Sequence, residues 1–289
     1  MSNKHLRFFL SSILAFVLGI LLTCLTYIGD LYFRGLNSSV LVSAITKTNY
    51  SVELIDAMYA ECESVTLPIG LPIEVVHGIF DLEDVKRDVS ASVKASVEEK
   101  EFNADTTLIR EKLLDNINAY LQEENLQLSD EQNEYLEEYL LLIEDIYNDN
   151  IEMVIISRAM PYWNSFLDVA LVAFIGIIIL SIIIIVAIVK MHSWRHRALR
   201  YITYSTISTF LMSVILPIVL YVSHFYEKLS ISPKYFYMAM IYMIDEFLIF
   251  SIRMGCFWAL ISAILIGAIY VCKKNGYKRS CKGKGKVRR

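Results

Sequence analysis

The sequence predicts an all-α integral membrane protein: four transmembrane helices, with an extracytoplasmic helical domain inserted between the first and second. Three observations carry this reading. Of the 289 residues, 55% are apolar or aromatic and the mean hydropathy is +0.46, beyond what a soluble domain of this length shows. Four stretches hold no Asp, Glu, Lys or Arg: Phe8–Gly29, Val169–Val189, Tyr201–Tyr226 and Met254–Cys272. Each has the roughly 20 apolar residues that a helix rising about 1.5 Å per residue needs to cross about 30 Å of hydrocarbon. Finally, the basic residues cluster beside these stretches in a pattern that fixes orientation.

Lys4 and Arg7 precede the first stretch, Lys190, Arg195, Arg197 and Arg200 lie between the second and third, and nine Lys and Arg follow the fourth. None of these three segments contains Asp or Glu. Positive segments stay in the cytoplasm, so one orientation satisfies all three: both termini inside and four spans. The formal net charge of −4 hides this polarity, because Asp30–Ser165 alone carries 27 acidic and 9 basic residues.

The expected order follows. A cytoplasmic N-terminus (1–7) leads into the first span (8–29), an acidic extracytoplasmic helical domain (30–165) and the second span (166–189). A basic hinge (190–200), a third span (201–223), an outer loop with an amphipathic interfacial helix (224–252), the fourth span (253–272) and a basic tail (273–289) complete it. The first span has a longer apolar body than a signal peptide and no Ala-x-Ala-like site after it, so it reads as an uncleaved anchor.

Within 30–165 the apolar pattern has helical rather than strand period. Asp30–Ser64 reads as one or two helices, Leu67-Pro68-Ile69-Gly70-Leu71-Pro72 as a break, and Glu74–Phe80 as a short helix. Val85, Val89, Val93 and Val97 place one apolar stripe on a helix over about Leu82–Glu99. Asn103-Ala104-Asp105 announces the next helix, which carries Leu108, Leu113, Ile117, Tyr120 and Leu121. Ser129 and Gln132 have capping-box spacing, opening a helix with Tyr135, Leu136, Tyr139, Leu142, Ile143, Ile146 and Tyr147 on its apolar face. That helix should run toward the second span, with Pro161 as a kink or joint. The sum is a bundle of four or five helices.

The carboxylate pairs Glu98-Glu99, Glu123-Glu124, Asp130-Glu131 and Glu137-Glu138 read as a solvated face; no EF-hand-like loop supports cation binding. Cys62 is the single cysteine of this domain, so no internal disulfide can form, and the scarcity points to a bacterial cell-surface protein.

At the membrane, Asp168 lies 22 residues before Lys190, and Arg253 lies 20 before Lys273. Both therefore reach the outer rim at one depth, and a rim salt bridge between them is expected. Ser232 as N-cap and Pro233 at the first helical position start an interfacial helix with Tyr235, Tyr237 and Tyr242 at headgroup level. It either lies in the interface or rises to pack beneath the outer domain.

Ser205, Thr206, Ser208, Thr209 and Ser213 in the third span suit close helix packing or, in an oligomer, a polar path. His192 and His196 have metal-ligand spacing, but the surrounding arginines favour anionic lipid headgroups. Arg195, Arg197, Arg200, Lys273, Lys274, Lys278 and Arg279 are the expected lipid contacts, and the Gly- and Lys-rich end of the tail reads as flexible. Walker A, dinucleotide-loop, His-Glu-x-x-His, Gly-x-Ser-x-Gly and Cys-x-x-Cys motifs are absent. The expectation is a non-enzymatic membrane protein without cofactor, metal or nucleic acid, whose outer domain senses or binds a protein partner. An oligomeric transporter, permease or channel subunit is the alternative.

Overall fold

The computed structural model describes the backbone of residues 3–192, 194–228 and 231–285, and the side chains of 5–192, 194–228 and 231–274. Secondary structure among the described residues is helical throughout: α1 (Asn3–Arg34), α2 (Ser38–Lys47), α3 (Tyr50–Thr66), α4 (Leu82–Val97), α5 (Thr107–Glu123), α6 (Asp130–Ile151), α7 (Val154–Met191), α8 (Arg195–Ser223) and α9 (Lys234–Gly285). Four helices, α1, α7, α8 and α9, are long and apolar enough to cross a membrane. The chain divides into two compact units. An insert unit comprises 36–165 and 229–243, and a long-helix unit comprises the segments up to 35, 166–228 and from 244 onward.

The insert unit forms around one core. Val85, Val89 and Val93 of α4 are fully buried, as their four-residue spacing requires, against Leu54 and Met58 of α3 and Leu140 and Ile143 of α6. Each such side chain contributes roughly 1.5–3 kcal/mol of apolar burial. Side chains cap the starts of α4 and α6, whereas α5 begins after Thr106, which makes no side-chain cap bond, one residue past the expected Asn103-Ala104-Asp105 region. Asp81 accepts from the Glu83 and Asp84 amides at 2.8 and 3.3 Å, and Asp105 accepts from the Thr107 amide at 3.1 Å. Ser129 and Gln132 form a reciprocal capping box. One buried polar link sits in the core: the Tyr147 hydroxyl donates to Asp88 at 2.8 Å, and the Tyr147 ring stacks on Phe80. Burial first, then the hydrogen bond to Asp88 and that residue's charge, pushes the phenol pKa up.

Several boundaries differ from the sequence expectation. α1 continues five residues past Gly29, to Arg34. The segment expected to be helical over Glu74–Phe80 forms a single 3-10 turn, Ile73–Val76. The joint before α7 falls at Glu152, whose backbone is extended, and Pro161 lies inside α7. The reason is local. Asn148, Asp149 and Asn150 are poor helix formers in a row, and the Asn150 side chain donates to the Ile146 carbonyl at 2.9 Å, a local bond that competes with the helix. Of the tail end expected to be flexible, 282–285 continue α9 as helix, and 286–289 lie outside the described residues.

In the long-helix unit α1 packs along α8. Hydroxyl groups join the helices: Ser205 donates to the Ala15 carbonyl at 2.6 Å, Thr209 to the Gly19 carbonyl at 3.3 Å, and Ser262 to Thr206 at 2.9 Å. The Trp258 indole donates to Thr26 at 2.8 Å. A Cβ on Gly255 would stand 2.3 Å from a Val214 methyl and 3.4 Å from Ser213, so the absence of a side chain there lets α9 approach α8. Ile184 and Ile188 of α7 complete the packing against Leu18 and Leu22.

Candidate functional site

On the insert unit, the 3-10 turn Leu67–Ile69, α5, α6 and the loop joining those two helices enclose an apolar groove of about 410 Å³. Buried Ile117 and Tyr139 form its floor, and Leu121, Leu126, Leu136 and exposed Tyr135 form its walls. The turn's shape comes from Gly70, whose φ of +84° suits a residue without Cβ. Tyr139 is fixed from beneath, its hydroxyl 2.7 Å from that of Thr66. Burial, more than the Thr66 contact that opposes it, raises the Tyr139 phenol pKa.

The groove residues alternate in sequence with exposed carboxylates: Glu123, Glu124, Asp130, Glu131, Glu134 and Glu138. None of these six forms an ion pair among the described residues. On the same helices Arg110 is spoken for by Glu137 and Glu144, bridging α5 to α6. An apolar trough between unpaired carboxylates can accept a chain that is apolar on one side and basic on the other.

The structure scatters the residues singled out in the sequence. Asp168 and Arg253 are both exposed, and no ion pair joins them among the described residues. Arg195 is exposed at the start of α8, Lys273 and Lys274 are exposed along α9, Arg197 and Arg200 line a cavity with Arg7, and the Lys278 and Arg279 side chains lie outside the described residues. Of the two placements considered for the Ser232–Tyr242 segment, packing on the domain is found. Tyr235 meets Tyr50 edge-on at 5.2 Å, the Lys47 ammonium lies 5.7 Å from the Tyr242 ring centre, and both tyrosines pack on the insert core. Tyr237 is half-buried, and its amide donates to the Pro233 carbonyl, so α9 starts one residue later than expected, with Ser232 exposed before it. His192 and His196 have separate partners: His192 lies 3.1 Å from the Ser11 hydroxyl, and His196 tilts against Trp194.

Sequence reasoning missed Asp30. Taken as the first residue of the outer domain, it belongs to α1 and is only 1% exposed. Ser251 of α9 donates to one carboxylate oxygen, while the other has no hydrogen-bond partner among the described residues. The apolar run Leu31-Tyr32-Phe33 after it was the available signal that the helix continues.

Fold and site together define an all-helical chain in which four membrane-length helices accompany a compact acidic insert. No protein family, no curated protein and no solved structure matches it.

Proposed function

We propose that this is a non-enzymatic multi-pass membrane protein that displays its insert unit outside the cytoplasm, where the apolar groove binds a basic amphipathic segment of a protein partner. The groove carries the reading. Its apolar lining faces solvent on a unit with a complete core of its own, and its neighbouring carboxylates lack partners that a basic segment would supply. The outward orientation rests on the basic clusters beside the spans and the 27 acidic residues of Asp30–Ser165. Bacterial origin, from the sparse cysteines, belongs to the same reading.

The test is site-specific photocrosslinking in native membranes. A crosslinker at Leu126 should capture a segment that mass spectrometry identifies as basic and amphipathic, and the joint change Glu123→Lys with Glu124→Lys should abolish capture. A crosslinker at Asp149, away from the groove, should not capture it. Equal capture at both positions, or capture that survives charge reversal, overturns the reading.

One observation favours the second reading, an oligomeric transporter or channel subunit: the buried, half-satisfied carboxylate of Asp30 inside α1. Against it, the hydroxyls of Ser205, Thr206 and Thr209 are occupied in helix packing. A solute flux in proteoliposomes that Asp30→Asn removes and Glu123→Lys leaves intact would decide for transport.

A further inference from the structure

A cavity of about 970 Å³ lies in the long-helix unit, where the start of α1 meets the end of α7 and the start of α8. Its lining combines arginines with aromatic and small residues. Arg7, Arg197 and Arg200 stand toward the helix ends, and no carboxylate pairs with them among the described residues. Further along the same helices the lining turns to Ala15, Phe16 and Tyr204. Phe16 is nine residues past Arg7, about 13 Å along a helix, close to the half-thickness of a bilayer's hydrocarbon.

We infer that this cavity is a binding site for one phosphate-headed lipid, its headgroup held by Arg7, Arg197 and Arg200 and an acyl chain lying along Phe16 and Tyr204. The inference rests on the four helices spanning a membrane and is independent of what the insert unit binds. Three arginines that line one cavity without a carboxylate partner among the described residues supply fork-shaped donors for phosphate oxygens. A soluble anion on the arginines would leave the lining at Ala15, Phe16 and Tyr204 without an occupant.

His192 sits inside this site as a built-in reporter. Ser11 and Arg7 of α1 and Tyr201 and Arg197 of α8 surround it, and Tyr201 stacks on the imidazole at 5.1 Å. Burial first, then the charges of Arg197 and Arg7, lowers the His192 pKa below its ordinary value. A phosphate seated among the arginines offsets their field, so occupancy moves that pKa upward.

Native mass spectrometry of the full chain in detergent, with phosphatidylglycerol or phosphatidylcholine added, tests the site. One phosphatidylglycerol should be retained in preference to phosphatidylcholine. Arg197→Gln should weaken retention about tenfold, the loss of one charge-assisted hydrogen bond, while Lys190→Gln, equal in charge but outside the cavity, should change it less than about twofold. Ser12→Trp, which fills the cavity without altering charge, should also expel the lipid. Histidine-labelled NMR should show the His192 titration moving up with phosphatidylglycerol and not with phosphatidylcholine. Equal losses from Arg197→Gln and Lys190→Gln would reduce the site to general surface charge, and equal retention of the two lipids would likewise overturn it. Displacement by millimolar glycerol phosphate would assign the arginines to a soluble phosphate ester instead.

Discussion

The insert unit is built on a large buried apolar core that includes Leu54, Met58, Val89, Leu140 and Ile143, whereas the long-helix unit, beside a small cluster of Leu18, Leu22, Ile184 and Ile188, buries Ser205, Thr206, Thr209, Ser213 and Ser262 and sets Val172, Ile179 and Ile183 outward. Val172 is 72% exposed and Ile179 53%. Each arrangement is stable only in its own solvent. In water, removing aliphatic surface is the main driving force, so large side chains go inside. In lipid, aliphatic side chains gain little by turning inward, and small hydroxyl residues that let helices touch and share hydrogen bonds take a larger share of the interior. The contrast argues for a membrane around the long helices independently of their length.

The largest test of this contrast truncates the same residue type in each setting. Leu140→Ala should destabilise the insert unit by about 2–5 kcal/mol, read by pulse proteolysis in urea, whereas Leu180→Ala on the exposed face of α7 should leave stability within about 0.5 kcal/mol. Comparable losses at both would mean that the exposed face is covered by protein. Next in size, Ile179→Arg should impair membrane insertion of α7 by about 2.5–3.5 kcal/mol, scored by the yield of membrane-integrated chain; unchanged integration would sink the assignment of that face to lipid.

Within the insert core, Tyr147→Phe strips the donor from one buried Asp88 oxygen and should cost about 1–2 kcal/mol. A smaller value would show that water reaches that oxygen. In the long-helix unit a double-mutant cycle on Ser262→Ala and Thr206→Val should give a coupling near 0.6 kcal/mol, with about 1.7 as the ceiling. The gentlest effect is a pH dependence. Backbone amides hold the Asp81 carboxyl below its ordinary value, and the Thr107 hydroxyl and then its amide do the same for Asp105. Both are carboxyls depressed in the folded state, so their stabilisation is present above the unfolded value of about 3.9 and is lost as the pH falls through the folded one. In Asp81→Asn that part of the acid sensitivity should be missing from a pH series of melting curves.

The local features were legible from the sequence because local physics decides them: the valine stripe of α4, the Ser129 capping box and the break at Pro68–Pro72 need only their neighbours. The joint at Glu152 was also available, since three Asn and Asp residues in a row are poor helix formers, yet Pro161 drew attention as the stronger breaker. Asp30 was misplaced because a hydropathy window ends at the first charge, whereas α1 ends where its backbone hydrogen bonds do. The groove had no sequence signature, as it requires the Leu67–Ile69 turn to meet α5 and α6 from 40 to 70 residues away. Tyr235 and Tyr242 read as interfacial because aromatic belts and aromatic packing use the same residues.

Cys62 is fully buried in the insert core, and burial, with the Glu61 charge second, pushes its thiol up to about 12. A thiol so placed is chemically silent until the surrounding helices part. Its alkylation rate in intact membranes would therefore count excursions out of the native state, turning a cysteine with no disulfide partner into a clock for how often the insert unit opens.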